Sequence, residues 1–161
     1  MIEIDGMMGE GGGQVLRSSL SLSLLTGQPV RLTRIRAGRA KPGLGYQHRM
    51  AVQAAARISG AQVEGARIGS QELYFSPGVI VPGNYHFDIG TAGATALVLQ
   101  AVLLPLALAS GASQLHITGG THVAWSPCYH YLDWHWRPLL GRLGVVFELQ
   151  MDMAGFYPQG G

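Results

Sequence analysis

Glycine divides this chain into short apolar segments. The 24 glycines fall singly or in small clusters between runs of hydrophobic residues. Glycines placed in this way mark turns and close backbone approaches, because each segment between them is apolar enough to be buried. With 161 residues, 47% of them hydrophobic, the chain is long enough to bury a core. The pattern therefore predicts many short helices and strands separated by tight turns.

The spacing of the apolar residues assigns these segments to helices and strands. Alternating segments predict strands, and longer apolar runs that end at a glycine predict helices. The predicted strands are residues 1–5, 29–35, 62–68, 72–75, 85–89, 114–118 and 145–150. The predicted helices are residues 14–26, 46–59, 94–110 and 129–143.

The order of these elements recurs along the chain. A strand, a glycine turn, a helix, a strand, a loop and a second helix follow Met1, and the same series begins again near Tyr85. We interpret this as two copies of one α/β unit, residues 1–80 and 81–161, in an α+β fold. The second copy ends without a partner for its last strand, which suggests a fragment or a subunit completed by another chain.

Basic residues are separated from acidic residues in the first half. Between Glu10 and Glu64 the chain has no carboxylate but eight cations. They are Arg17, Arg31, Arg34, Arg36, Arg39, Lys41, Arg49 and Arg57. The formal net charge is only +2, so the charge is segregated rather than large. Such a stretch favours a polyanionic partner, above all one that carries phosphates.

A glycine-rich turn stands immediately before this basic stretch. Residues 9–14 read Gly-Glu-Gly-Gly-Gly-Gln and lead from a predicted strand into a helix, so several backbone N–H groups can face an anion. The turn is not a Walker A loop, which ends in Gly-Lys-Ser/Thr, and Gln14 occupies the third glycine position of a dinucleotide fingerprint. Glycine content alone leaves a plain structural turn equally open. Glu10 favours function, because a carboxylate beside phosphate needs a bridging divalent cation.

Two further segments carry candidate binding residues. Arg36, Arg39 and Lys41 lie on a Pro/Gly loop that leads into the helix containing Gln47 and His48. Arginines in such a loop can bind phosphate, and a histidine can donate to a phosphoryl oxygen or transfer a proton. Each residue alone, Arg17 included, is explained more simply as an ordinary surface residue, whereas the set without a compensating acid favours function.

The second glycine turn comprises residues 90–95. The helix that follows it contains Gln100, surrounded by leucines and valines. Its amide either contacts the edge of a base or pairs with the backbone. The set His122, Cys128, His130 and His135 invites a zinc interpretation, but its spacing matches no common structural zinc pattern. We therefore expect a surface loop and an amphipathic helix there.

Three other expectations concern the environment of the protein. The single cysteine, Cys128, excludes an internal disulfide and suits a reducing compartment. The start of the chain does not resemble a signal peptide, and the longest apolar run, residues 101–109, is too short to span a membrane. We expect a soluble, cytoplasmic protein.

Several of these segments together resemble the RNA 3′-terminal phosphate cyclase family. The resemblance is carried by IDGMMGEGGGQVLRSSLSLSLLTGQPV, RAGRAKPGLGYQH, GTAGATALVLQAVLLPLAL and GFYPQGG, which follow one another through nearly the whole chain. It implies repeated units of two helices on a four-stranded sheet, similar to the enolpyruvate transferases. It also implies the use of ATP and a divalent cation (Mg or Mn) to convert the 3′-terminal phosphate of an RNA to a 2′,3′-cyclic phosphate.

The resemblance also assigns roles to individual residues. It implies a metal- and phosphate-binding role for Glu10, and nucleotide contact for Gln100. Residues important for activity are implied at Arg17, Arg36, Arg39, Gln47 and His48. The turn itself, by its successive glycines, predicts phosphate contacts from the backbone of Gly11, Gly12 and Gly13.

Family members are longer than this chain, and their histidine that accepts AMP lies in a region beyond residue 161. Where the family usually has an asparagine or aspartate this chain has His122, and where it commonly has an aspartate this chain has His130. A non-catalytic RNA-binding or rRNA-maturation relative, or an inactive fragment, is the alternative function. A second chain or a dimer partner is a possible completion.

Overall fold

A computed structural model describes all 161 residues of the chain. The first half contains four strands and two helices. In chain order these are β1 (Ile2–Asp5), α1 (Gly13–Thr26), β2 (Val30–Thr33), α2 (Tyr46–Ser59), β3 (Gln62–Glu64) and β4 (Leu73–Ser76). The strands form one sheet in the order β1-β2-β4-β3. β1 runs parallel to β2, and the other two pairs are antiparallel.

The second half begins with the same parallel β-α-β arrangement but builds a smaller sheet. It comprises β5 (Asn84–Asp88), α3 (Thr95–Ala107) and β6 (Gln114–Thr118). β5 and β6 pair in parallel and form a sheet of two strands. The helical region that follows consists of α4 (Tyr129–Tyr131), a π-helical segment (Leu132–Trp136) and α5 (Arg137–Arg142).

One hydrophobic core joins the two halves. Its members are contributed by α1, α2 and α3 and by the strands that these helices cover, with Leu32 and Phe75 fully buried. A second, smaller cluster lies between α3 and Leu132. The mixed α/β architecture predicted from the sequence is therefore present. The division at residue 80 and the likeness to enolpyruvate transferases stay predictions.

Most predicted elements are present with shifted ends. The helix at residues 46–59 and the strand at 114–118 have the predicted bounds. β2 ends at Thr33 because Arg34 adopts a positive φ of 50°, and β3 ends at Glu64 because Gly65 has a φ of 84°. Both residues leave the extended conformation that a strand requires.

The prediction of a strand at residues 145–150 is wrong. That segment has no regular secondary structure. Phe147 and Leu149 instead pack against the smaller cluster on α3, so their alternating apolar pattern reflects burial on one side without a neighbouring strand. None of the helices is both long and apolar enough to cross a bilayer.

Candidate functional site: a basic elbow between β1 and α1

The turn between β1 and α1 exposes backbone N–H groups at the start of a 14-residue helix. Gly9 and Gly11 have positive φ values of 61° and 56°, which a residue with a side chain adopts only under strain. Gly12 precedes α1, and no side chain caps the helix there. The first N–H groups of α1 therefore keep the capacity to bind an anion.

Arg17 lies one turn into α1 and is buried, with 7% of its surface exposed. Its Nε donates to Gln100 Oε1 at 2.8 Å, and its Nη2 donates to Gln14 Oε1 at 3.3 Å. Both acceptors are neutral amides, and no carboxylate pairs with this guanidinium. Burial lowers the pKa of Arg17 to about 10, so the side chain is still charged at neutral pH. A buried cation without an anionic partner is costly, and an anion binding beside it would offset that cost.

His48 lies in the first turn of α2 and is 6% exposed. Its Nδ1 accepts a hydrogen bond from the Gly45 N–H at 3.1 Å, so in the neutral ring the proton is on Nε2. Burial, followed by the charges of Arg36 and Arg17, lowers the pKa of His48 to about 4. His48 is therefore a neutral imidazole at pH 7, with Nε2–H as a hydrogen-bond donor.

Gly13 is the point where α1 and α2 bring these two side chains together. A methyl group added at Gly13 would collide with His48 Nε2 and would lie 2.7 Å from Arg17 Nη1. Both side chains therefore border the small space above the Gly13 Cα. Only glycine leaves that space open.

Two arginines of the loop before α2 extend the cluster. Arg39 Nη2 donates to the Glu10 carbonyl at 3.1 Å and would lie 3.1 Å from a methyl group on Gly12. Arg36 has a φ of 52°, and its Nη1 donates to the Gly43 carbonyl at 2.6 Å. Burial and the charge of Arg39 lower the pKa of Arg36, in that order. We call the group formed by Gly12, Gly13, Arg17, Arg36, Arg39 and His48 the elbow site.

The remaining predicted residues have different positions relative to the elbow site. Glu10 extends into solvent, 95% of its side chain exposed, with Oε2 3.8 Å from Arg39 Nη2. Gln100 does not pair with the backbone; it accepts from Arg17 and donates to Gln14 Oε1 at 3.2 Å. Gln47 packs beside Gly93 of the second glycine turn, and its buried Oε1 has no hydrogen-bond partner.

In the folded chain, several cations of the basic stretch have hydrogen-bond or ion-pair partners that the sequence order does not show. Arg34 forms an ion pair with Asp5, and Arg31 lies 3.3 Å from Glu72. Arg57 donates to the His86 carbonyl at 3.2 Å. The carboxylates come from outside the acid-free stretch, so sequence order could not reveal them. Within the elbow site, Arg17 and Arg36 have no carboxylate partner.

Sequence reasoning missed Gln14 as a site residue. Its side-chain oxygen accepts hydrogen bonds from Arg17 and from Gln100, which is 86 positions further along the chain. The spacing of three residues between Gln14 and Arg17, which puts both on one face of a helix, was the available signal.

A cavity of about 1100 Å³ is lined by none of the elbow-site residues. It is bordered by α3, β6 and residues 146–153, and mostly apolar side chains line it. We place the candidate site at the elbow because the charged and hydrogen-bonding groups converge there and not in this cavity.

The histidines and the cysteine of the second half are closer together than their spacing suggested. The ligand atoms of His122, Cys128 and His130 lie within 4.8 Å of one another. His135, which the same sequence pattern included, packs against Tyr131 instead. The expected loop and helix are present, and three of the four side chains also converge.

Comparison with known proteins bears on the whole chain. Residues 8–161 match the family described as RNA 3′-terminal phosphate cyclase. Among curated relatives, proteins named RNA 3′-terminal phosphate cyclase from Ralstonia nicotianae and Nostoc punctiforme are 56% and 54% identical to it. The alignments cover 99% and 100% of this chain but 46% and 48% of those proteins, so the chain spans about half their length. A protein of the same name from Salmonella enteritidis is 52% identical over 161 residues. This chain belongs to the RNA 3′-terminal phosphate cyclase family.

Proposed function

We propose that this chain supplies the phosphate-, metal- and nucleotide-binding part of an enzyme that cyclises RNA 3′ ends. The reaction uses ATP to convert a 3′-terminal phosphate to a 2′,3′-cyclic phosphate, through adenylylated enzyme and RNA intermediates. The names of the relatives and the family match support the substrate class. The elbow site supports a role in binding phosphoryl groups.

The observation that carries this proposal is the burial of Arg17 without a carboxylate partner. Its Nη1 borders the space above Gly13, where the uncapped N-terminus of α1 and His48 Nε2 also meet. A cation, a neutral N–H donor and free backbone N–H groups around one small space form a binding site for a phosphoryl group.

The residues present fit a divalent cation and the phosphates of ATP. Mg²⁺ is commonly held by one or two carboxylates together with phosphate oxygens and water. The exposed Glu10 carboxylate, next to the Arg39 guanidinium, offers one such ligand at the edge of the elbow. When bound, the cation would neutralise phosphate charge and so permit the carboxylate and the phosphates to lie close together.

The chain's own residues position and stabilise the phosphate. Arg17 is held by Gln14 and Gln100, so little side-chain entropy is lost when Nη1 binds an oxygen. His48 donates its Nε2 proton in a hydrogen bond, and its low pKa keeps it from carrying a second proton at pH 7. Arg39 is more exposed than Arg17, and its positive charge can contact the phosphates at the RNA end.

Binding of RNA oligonucleotides tests the proposal. Fluorescence anisotropy should show tighter binding of an oligonucleotide with a 3′-phosphate than of the same one with a 3′-hydroxyl, and Arg17→Met should remove the difference. Equal affinities for the two ends would contradict the proposal. A preference that ATP and Mg²⁺ or Mn²⁺ leave unchanged would instead support the binding-only alternative.

Arg39→Ala should weaken binding to the 3′-phosphate RNA and lower its salt dependence. One lost phosphate contact to a single strand reduces the slope of log K against log[salt] by about 0.7. Arg142→Ala is the matched control, because Arg142 is an exposed arginine of α5 outside the elbow site. If both variants keep the wild-type slope, Arg39 does not contact phosphate.

Incubation with radiolabelled ATP and Mg²⁺ addresses the adenylylation step. We expect no covalent AMP adduct on the 161-residue chain, because the resemblance implies that the accepting histidine lies in a region beyond Gly161. A labelled chain would show that one of its own histidines accepts AMP.

A further inference from the structure

The loop between β6 and α4 and the start of α4 hold three potential metal ligands that are not part of the elbow site. His122 and Cys128 belong to this loop, and His130 lies in α4, which follows at once. All three side chains are half-buried. The proposed function uses none of them, so a role for this cluster is independent of the elbow site.

The backbone of this loop is fixed by the end of the chain. The N–H groups of Thr121 and His122 both donate to the Gly155 carbonyl, at 2.9 and 3.0 Å. Gly119 and Gly161 exchange two backbone hydrogen bonds, at 2.9 and 2.8 Å. A loop held in this way presents its side chains in a defined geometry, which reduces the entropy lost when a ligand binds.

The ring of His122 is oriented for binding through Nε2. Its Nδ1 lies 2.8 Å from Thr121 Oγ1, and Phe156 stacks on the ring with centroids 5.4 Å apart. Thr121 Oγ1 accepts from the Gly155 N–H at 2.8 Å and can donate its own hydrogen to the Gly155 carbonyl at 3.4 Å. The hydroxyl can therefore also accept a hydrogen bond from Nδ1–H of His122, and in that tautomer the Nε2 lone pair is free. Metal-binding histidines commonly have such a partner on the other ring nitrogen.

The ring of His130 faces the same point. Its Nδ1 lies 3.1 Å from His122 Nε2, and Trp134 packs against its ring with centroids 4.9 Å apart. Two nitrogens bound to one tetrahedral zinc, each at about 2.0–2.1 Å, are about 3.3 Å apart. The observed separation is close to that value. It also suits a direct hydrogen bond between the rings in the metal-free protein.

Cys128 supplies the third donor. Its Sγ lies within 4.8 Å of a ring nitrogen of each histidine, and it is the only cysteine of the chain. We propose that His122 Nε2, Cys128 Sγ and His130 Nδ1 bind one Zn²⁺ ion. Imidazole and thiolate together favour zinc over magnesium or calcium, and three protein ligands leave a fourth position for water or another ligand.

Cobalt and zinc titrations test this site in the 161-residue chain. After treatment with a chelator, we expect the chain to bind one equivalent of Co²⁺, with the d–d bands of a tetrahedral ion and a thiolate-to-cobalt charge-transfer band. Zn²⁺ should displace it. No thiolate band, or uptake well below one equivalent, would overturn the proposal.

Variants identify the ligands. Cys128→Ser should remove the charge-transfer band, and His122→Asn and His130→Asn should each remove stoichiometric binding. Thr121→Val should keep the thiolate band but weaken Zn²⁺ binding by about 10- to 100-fold, because the side chain that orients His122 and accepts from the Gly155 N–H is lost while all three metal ligands remain. Circular dichroism of each metal-free variant checks that the fold is retained.

Two control variants address binding elsewhere. His135→Asn, in the same helical region, should bind cobalt like the wild type. The rings of His86 and His116 lie 4.7 Å apart on the paired strands β5 and β6 and form another possible metal-binding pair. The double variant with His86→Asn and His116→Asn should keep the Co²⁺ spectrum. Its loss in that variant, or its persistence in His122→Asn and His130→Asn, would overturn the assignment.

Discussion

Gly13 is the residue on which the geometry of the elbow site depends. Its φ is not positive, so its importance lies in space rather than in backbone conformation. His48 Nε2 and Arg17 Nη1 approach the Gly13 Cα as closely as they do because there is no Cβ. The missing side chain therefore forms part of the proposed binding site.

Gly13→Ala should lower both stability and RNA binding. Overpacking against His48 and Arg17 should cost about 1–3 kcal/mol of unfolding free energy, more than the gain in helix propensity. Loss of one charge-assisted contact should weaken binding of a 3′-phosphate RNA about tenfold or more. Urea denaturation and anisotropy measure the two effects.

Gly141→Ala is the matched control for this variant. Gly141 is also helical, and a methyl group there would meet no atom within 4 Å. It should gain up to about 1 kcal/mol of stability, with unchanged RNA binding. The same response from both variants would show that the space above Gly13 is not restricted.

His48 should make stability depend on pH between about 4 and 6.5. Its pKa is near 6.5 in an unfolded chain and about 4 in the folded protein, so the unfolded state binds more protons in this interval. Stability is then fully present above pH 6.5 and falls with pH, by on the order of 3 kcal/mol at pH 4.

His48→Gln should remove this part of the pH dependence, measured by urea denaturation across the interval. Replacing the exposed His135 by asparagine should leave the pH dependence of stability as in the wild type. An identical pH dependence of stability in wild type and His48→Gln would mean that His48 titrates normally in the folded protein.

Single residues were predictable from sequence where charge or glycine defined them. The glycines of the turn, Arg17, Arg39 and His48 were identified and lie together. The pairing of Arg34 with Asp5 was not predictable, because it depends on β1 and β2 being parallel neighbours. The convergence of His122, Cys128 and His130 depends on a loop conformation that spacing does not specify.

Among the elements, α1 and α3 are joined by the Gln14–Arg17–Gln100 network. These helices come from the two halves of the chain, and two of the network's three side-chain hydrogen bonds connect them, while the third lies within α1. The arrangement fixes Arg17 at the elbow while α3 packs on the same core. Removing Gln100 would leave a buried guanidinium nitrogen without a partner.

Gln100→Leu should therefore destabilise the protein by about 1–3 kcal/mol. In a double-mutant cycle with Arg17→Met, urea denaturation should give a coupling energy of about 0.5–3 kcal/mol. The exposed pair Arg31–Glu72, treated with Arg31→Ala and Glu72→Ala, should give less than about 1 kcal/mol. Additive effects of Gln100→Leu and Arg17→Met would show that the network does not join the helices energetically.

Helices were easier to predict than strands for a physical reason. A helix satisfies its hydrogen bonds within one segment, so the run at residues 46–59, flanked by glycines, sufficed to define α2. A strand needs a neighbour, which local sequence does not specify. Residues 145–150 have the alternation of a strand but lack that neighbour, and the prediction failed there.

At the scale of the whole molecule, the two halves differ in the size of their sheets. The first half has a four-stranded sheet covered by α1 and α2, whereas β6 pairs with β5 alone and borders the large cavity. Two-stranded sheets are marginally stable without further packing. The second half has two paired strands, and the incomplete second unit expected from the sequence stays a prediction.

Hydrogen exchange should reflect this difference. The amides of β6 and of residues 146–153 should exchange faster than those of β2, which has a neighbour on each side. Mass spectrometry of peptides from the labelled chain measures the difference, and β3, another edge strand, is the internal comparison. Equal protection in β2 and β6 would show that the second half is as stable as the first.

The most direct test of the central claim is an NMR titration of the chain with an RNA oligonucleotide that ends in a 3′-phosphate. The structure predicts saturable shifts at the Gly12 and Gly13 amides, the Arg17 guanidinium and the His48 ring, and much smaller shifts with the same oligonucleotide ending in a 3′-hydroxyl. Shifts that are equal for both ends, or that leave these four residues unperturbed, would contradict the assignment of the elbow site as a phosphate-binding site.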